Sequence, residues 1–198
     1  MLDEPLEKMN WKKTVKSAVT KYWDNDLRKG ANKKSSLCHI HWGSQNSTKL
    51  EPHSIWKSTA DNLNLAKKAL LKTKVLLHVY PLQKGVDFSK GNSTCPLCKG
   101  NDLENEIHFL ASCMDLTSIK ERELFQKQML AKELISKEVA AILFKDNDLF
   151  AQLALDHRKL DGITGIATDE KHHSMMIVSL NYVFKLHLNR STKLQHRM

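Results

Sequence analysis

Residues 95–113 read CPLCKGNDLENEIHFLASC and gather three of the chain's four cysteines with one histidine. Cys95 and Cys98 are separated by two residues, a turn that points both sulfurs at one centre. Zn–S bonds of about 2.3 Å fit such a turn. Pro96 stiffens it, and Gly100 is expected to take the positive φ that lets the chain double back. Nine residues intervene before His108 and four more before Cys113. Three thiolates and one imidazole make a closed tetrahedral set, the structural kind of zinc site that leaves no position for water. The arm IHFLASC is helical in character. Its five-residue step exceeds one α-turn, so Cys113 is expected at a loosened last turn, with Phe109 and Leu110 docking the knuckle on a helical core. A lone Cys-x-x-Cys can also be a redox dithiol. Here no strand-rich thioredoxin-like pattern surrounds it, and a third cysteine and a histidine lie at ligand distance, which favours zinc bound by Cys95, Cys98, His108 and Cys113.

Outward from this window the chain of 198 residues reads as all-α, a bundle-like array of helices carrying one small zinc knuckle. Aliphatic helix formers are plentiful, whereas there are 7 glycines and 4 prolines. The longest apolar run, MMIVSL, is far too short for a membrane span. The acidic start MLDEPLEKMN lacks the apolar segment of a signal peptide. The expectation is a soluble nuclear or cytoplasmic protein, in a reducing compartment where clustered cysteines bind metal more often than they pair.

Residues 10–30 form the first predicted helix. Trp11, Val15, Ala18, Val19, Tyr22, Trp23 and Leu27 recur at three- and four-residue steps, which assigns the aromatics to the core and not to base stacking. Residues 31–59 are turn-rich. Cys38 there, with His39 and His41, has no second ligand pair nearby and reads as a small buried hydrophobe. Residues 60–80 predict a stronger helix with Leu63, Ala66, Leu70, Leu77 and Tyr80 on its apolar face. Lys68 and Lys72 stand opposite that face, and Lys67 and Lys74 flank it. Residues 115–155 predict helices broken near KDNDL, with Asp146 or Asn147 as a cap. Residues 157–171, with two glycines, read as a linker. A last helix over 172–190 is expected to bury Ile177, Leu180, Val183, Phe184 and Leu188.

Charge is unevenly placed. Residues 1–94 hold 17 Lys/Arg against 8 Asp/Glu, whereas residues 95–198 hold 14 of each. Three regions follow: a basic helical region over 1–94, the knuckle over 95–114 and a C-terminal helical region over 115–198. A basic excess attracts phosphate regardless of sequence, so RNA or DNA is the expected partner, with Lys67, Lys68, Lys72 and Lys74 as the first candidate contacts. No Gly-x-Ser-x-Gly elbow and no phosphate-cradling glycine loop is present, and His172, His173 and His187 have no evident nucleophile to serve. The expectation is a non-enzyme with no small-molecule substrate and no membrane association.

The segment TCPLCKGNDLENEIHFLASC resembles the zinc-binding segment near the C-terminus of reverse transcriptases of non-LTR (LINE-type) retrotransposons. There a Cys-x-Leu-Cys pair, an acidic stretch, a His-Phe/Leu-Leu and a final Cys follow in order. The likeness extends to HSIW, to ALLKTKVLLHVYPLQKGVDFSK before the cysteine pair, and to LFAQLALD and FKLHLNR near the end, and spans roughly residues 10–190. It implies a zinc ion on Cys95, Cys98, His108 and Cys113, in a region that follows the polymerase and helps grip RNA or DNA. The Tyr-x-Asp-Asp loop of the polymerase is absent, and so is an endonuclease. The resemblance therefore implies a non-catalytic remnant, either binding nucleic acid without strong sequence preference or acting as a protein-interaction module that once docked on a polymerase domain.

Overall fold

The structure is a computed structural model and describes residues 8–34, 40, 53–59, 62–82, 94–98, 100, 102–166 and 168–195. Its helices are α1 (Lys8–Asn32), α2 (Ser54–Lys57), α3 (Leu63–Leu76), α4 (Leu116–Ala131), α5 (Lys137–Leu143), α6 (Asn147–Asp156), α7 (Asp161–Thr164) and α8 (Asp169–Gln195). A π-turn over His108–Ser112 and a 3₁₀ turn over His157–Leu160 complete the order. No strand occurs among the described residues; an isolated antiparallel bridge pairs Thr94 with Leu103 at the base of the cysteine knuckle. The fold is all-α with one small Cys/His site.

Helix α8 is the spine. Its apolar residues Met175, Met176, Val178, Leu180, Tyr182, Val183 and Leu186 are all buried, spread too far round the helix for one neighbour to cover. Helix α3 packs on one side of it, α4 on the other, and α6 closes the third. Aromatic rings fill the α4–α6–α8 junction: Phe125 stacks on Tyr182 at 4.6 Å, and Phe150 meets both edge-on. Within the predicted α8 set, Leu180 and Val183 are buried, Ile177 and Phe184 half-buried, and Leu188 exposed.

Helix starts follow local chemistry. Asn62, Asp115, Ser136 and Asp146 cap α3, α4, α5 and α6 by accepting hydrogen bonds from backbone N–H groups of the first turn. Of the two candidate caps at the KDNDL break, Asp146 is the one used. A further break over 132–136 separates α4 from α5, with Glu133 in the left-handed region at φ 51°.

Three expectations are corrected. Trp11, Val15, Val19 and Tyr22 are not core: Trp11 is 55% exposed, and the other three are exposed as well. The side chains of Trp23 and Leu27 lie outside the described ones. Spacing places residues on one face but does not supply anything for the face to pack on. On α3 the buried residues are Ala69, Lys72, Val75 and Leu76, while Leu63 and Leu70 are 74% and 53% exposed. Aliphatics surround this helix nearly completely, so periodicity does not choose a face; the small Ala69 lets α8 approach on the side opposite to the expected one. Finally, 157–164 is not linker. It is helical, with His157 and Leu160 buried.

Candidate metal centre

The bridge between Thr94 and Leu103, with the Cys95 N–H donating to the Asp102 carbonyl at 3.0 Å, forms a tight hairpin carrying Cys95 and Cys98. Gly100 does not adopt positive φ. A Cβ there would stand 3.0 Å from Asp102 Oδ2, the end of an exposed side chain, and in ordinary contact at 3.7 Å with Cys98 Sγ. The other two side chains come from the π-turn. The Cys113 N–H donates to the His108 carbonyl at 2.8 Å, an i→i+5 bond. The wider π-turn answers the five-residue step, because it brings His108 and Cys113 to one side where an α-turn would leave them out of register. Cys113 itself, at ψ 124°, has left the helix, as the spacing predicted.

The structure brings Cys95, Cys98, His108 and Cys113 together, with their ligand atoms all within 4.8 Å of one another. Cys95 Sγ lies 3.8 Å from Cys113 Sγ, and Cys98 Sγ lies 3.4 Å from His108 Nε2. A disulfide needs about 2.05 Å, so the sulfurs are free thiols here. Cys95, His108 and Cys113 are buried and Cys98 is half-buried. The hydrogen bond from Cys113 pulls the Cys95 thiol down to about 5, so the pair readily gives up one proton. Four soft or borderline donors converging in a small buried space are a set that could hold a metal ion.

The surroundings were not legible in the sequence. His108 Nδ1, turned away from the sulfurs, has Ser112 Oγ at 3.4 Å and Asp102 Oδ2 at 3.9 Å. Such partners fix the ring of a ligating histidine. Phe109 and Leu110 anchor the turn in the core, as expected. Phe109 stacks on Tyr80 at 5.4 Å, and the Tyr182 hydroxyl donates to the Leu110 carbonyl. The acidic segment between the ligand pairs adds two clamps. Buried Glu104 accepts two hydrogen bonds from Arg190, at 2.8 and 2.9 Å, and Glu106 lies 2.8 Å from His78. Just past the knuckle, Arg122 donates to the Cys113 carbonyl at 3.0 Å. Asp115 accepts from Asn189 and Lys193 of α8. Burial alone would raise the Asp115 carboxyl, but these donors outweigh it and hold it below the ordinary range.

The lysines expected to face phosphate separate. Lys67 and Lys74 are exposed. Lys68 is half-buried, donates to Asn181 Oδ1 and lies over the Phe184 ring at 5.4 Å. Lys72 is fully buried and donates to Ser179 Oγ at 2.5 Å, which excludes it from any surface. His172 is buried against His157, with ring centroids 5.2 Å apart, and His187 is bonded to the Tyr80 hydroxyl at 2.8 Å; His173 is exposed. Cys38, His39 and His41 lie outside the described residues. No helix is long and apolar enough to cross a membrane among the described residues. Comparison with protein-family models, with curated proteins and with solved structures finds no match.

Proposed function

We propose that this chain is a non-catalytic helical binding module stapled by one structural zinc ion, with nucleic-acid phosphate as its ligand. The observation that carries the zinc assignment is the spacing of the donors. A tetrahedral zinc with Zn–S of about 2.3 Å and Zn–N of about 2.05 Å has S–S edges near 3.8 Å and S–N edges near 3.6 Å. Two of the six edges, at 3.8 Å and 3.4 Å, lie close to these values, and all four ligand atoms fall within 4.8 Å of one another. Four protein ligands leave no open coordination position, so the ion supplies folding energy and no Lewis-acid catalysis. The resemblance of this segment to the zinc-binding region of non-LTR retrotransposon reverse transcriptases agrees with that reading.

Phosphate binding rests on the basic surface that remains after Lys72 and Lys68 are set aside. Lys12, Lys13, Lys16, Lys21 and Lys29 of α1 are exposed, as are Lys67 and Lys74 of α3. Binding to single-stranded RNA or DNA should be insensitive to sequence and should weaken steeply between 50 and 200 mM salt. Replacing Lys67 and Lys74 by Gln should leave the fold unchanged and flatten the log–log salt slope by up to about 0.7 for each phosphate that is no longer neutralised. A mobility-shift titration at two salt concentrations checks this; binding that does not respond to salt would remove the phosphate reading.

A second reading, a protein-docking module, is favoured by one specific observation: α1 carries an exposed apolar stripe with Trp11, Val15 and Val19 on it. Monomeric proteins seldom leave such stripes in water.

A further inference from the structure

The charged groups around the knuckle pair off, with one exception. Glu104 takes both hydrogen bonds of Arg190, Asp115 accepts from Lys193, and Glu106 lies against His78. Asp102 stands in solvent, 67% exposed. The exception is Arg122 of α4, which forms no ion pair among the described residues. Its acceptor is the carbonyl of Cys113, 3.0 Å from Nη2. Its other amino group, Nη1, is buried and meets no acceptor.

A half-buried guanidinium with a dry, unsatisfied donor is costly unless a negative charge lies near. The four-ligand site supplies that charge when it is loaded. A divalent ion on three thiolates and one neutral imidazole leaves a net charge of −1, and Cys95, His108 and Cys113 are buried. Arg122 holds the backbone of one of those ligands. The two groups also share a neighbour. Burial pushes the Tyr182 hydroxyl up, the Arg122 charge pulls it back and Cys113 adds to the rise, so guanidinium and sulfur both lie within electrostatic reach of one hydroxyl.

We propose that Arg122 is the countercharge of the metal centre, a positioning residue whose guanidinium ties down Cys113 and balances the anionic site. This rests on the zinc reading and adds the residue that sets how tightly the ion is held. The two roles of the side chain separate chemically. Arg122→Gln keeps a donor for the Cys113 carbonyl and loses the charge. Arg122→Lys keeps the charge and loses the planar fork. A residue that only ties α4 to the knuckle is replaced by Gln at least as well as by Lys; a countercharge is replaced by Lys alone.

The test uses the full, reduced chain, with zinc in competition against a chelator of known affinity and Co2+ as the spectroscopic probe. Arg122→Gln should weaken zinc at least tenfold, within the roughly 10- to 100-fold that partners of metal ligands control. Arg122→Lys should recover most of that loss. In Arg122→Gln the thiolate-to-cobalt absorption should move to longer wavelength, because a thiolate without a neighbouring cation gives up its electron more easily. In Arg122→Lys it should return toward the parent's position. Far-UV circular dichroism of the loaded chains checks that the fold is kept. If Arg122→Gln does not fold, Arg122→Lys decides alone, and a tenfold loss of zinc affinity there would overturn the proposal. Equal affinities in all three chains with an unmoved band would overturn it. Weakening in Arg122→Lys but not in Arg122→Gln would assign Arg122 to the carbonyl tie and overturn the countercharge. A parent chain that takes up no zinc would remove the metal reading itself, and this assignment with it.

Discussion

Lys72 shows how one side chain can overrule a helical pattern. Its aliphatic stem packs among Ala69, Val75 and Leu76 on the buried face of α3, and its amine ends against Ser179 and Met176 of α8. Burial lowers its pKa to about 7, an effect that the nearby Asp156 carboxylate only partly offsets. Asp156 is itself buried and lies 2.9 Å from His53 Nε2, whose Nδ1 accepts from the Ile55 N–H. The sign of the pH dependence follows. In the unfolded chain Lys72 titrates near 10.4, so between pH 7 and 10.4 the unfolded state binds the extra proton and stability rises with pH. Urea unfolding at pH 7.5 and 9.5 should show a gain of up to about 3 kcal/mol for this one group. Lys72→Met should remove most of that gain; an unchanged gain in the variant would show that the amine is solvated. His157 works in the same sense at lower pH. Burial first, then the Lys72 charge, lowers its pKa to about 3, so its contribution is complete above about 6.5 and is lost as pH falls from there toward 3.

Elements divide into those whose ends and faces were written locally and those settled by neighbours. Asn62 and Asp115 cap by side chains that bond the next turn, at starts the sequence reading did not single out; the break at KDNDL and its cap at Asp146 follow from the same chemistry, so sequence reading finds them. The knuckle was legible for the same reason: four donors of fixed chemistry at fixed spacing leave few geometries, and the excess residue in the His108–Cys113 step announced the widened turn. The faces of α1 and α3 were not legible, because an apolar stripe says only that a face wants a neighbour. On α3 the neighbour came from the opposite side; on α1 none of the described elements covers the stripe. The Glu104–Arg190 clamp joins residues 86 positions apart and has no local signature. The end of α4 carries a prediction at this scale. Glu133 sits at φ 51°, where a Cβ costs about 1 kcal/mol, while the Leu134 N–H closes on the Met129 carbonyl at 3.0 Å. Glu133→Gly should therefore raise stability by about 1 kcal/mol in a denaturant titration. A fall in stability would show that the Glu133 side chain makes an interaction worth more than the relieved strain.

At the scale of the whole molecule, the knuckle is not an appendage. Glu104 and Glu106 tie it to Arg190 and His78, Phe109 and Leu110 sink into the core, and Asp115 holds the C-terminal part of α8 through Asn189 and Lys193. Removing the ion should therefore loosen more than the hairpin. Hydrogen exchange after chelation should speed up most over 94–113 and next over 186–195. The α4–α6–α8 aromatic junction, which has its own packing, should stay protected. Exchange that speeds up uniformly would mean that the metal holds the entire fold; no change over 186–195 would mean that the clamps do not transmit its removal. The central claim is the closed zinc site, and X-ray absorption of the purified, reduced chain tests it most directly. The account predicts one zinc per chain, bound by three sulfurs at about 2.3 Å and one nitrogen at about 2.0–2.1 Å, with the metal released in Cys98→Ser. Freshly reduced protein without zinc, or a zinc with an oxygen ligand in place of a sulfur, would contradict it.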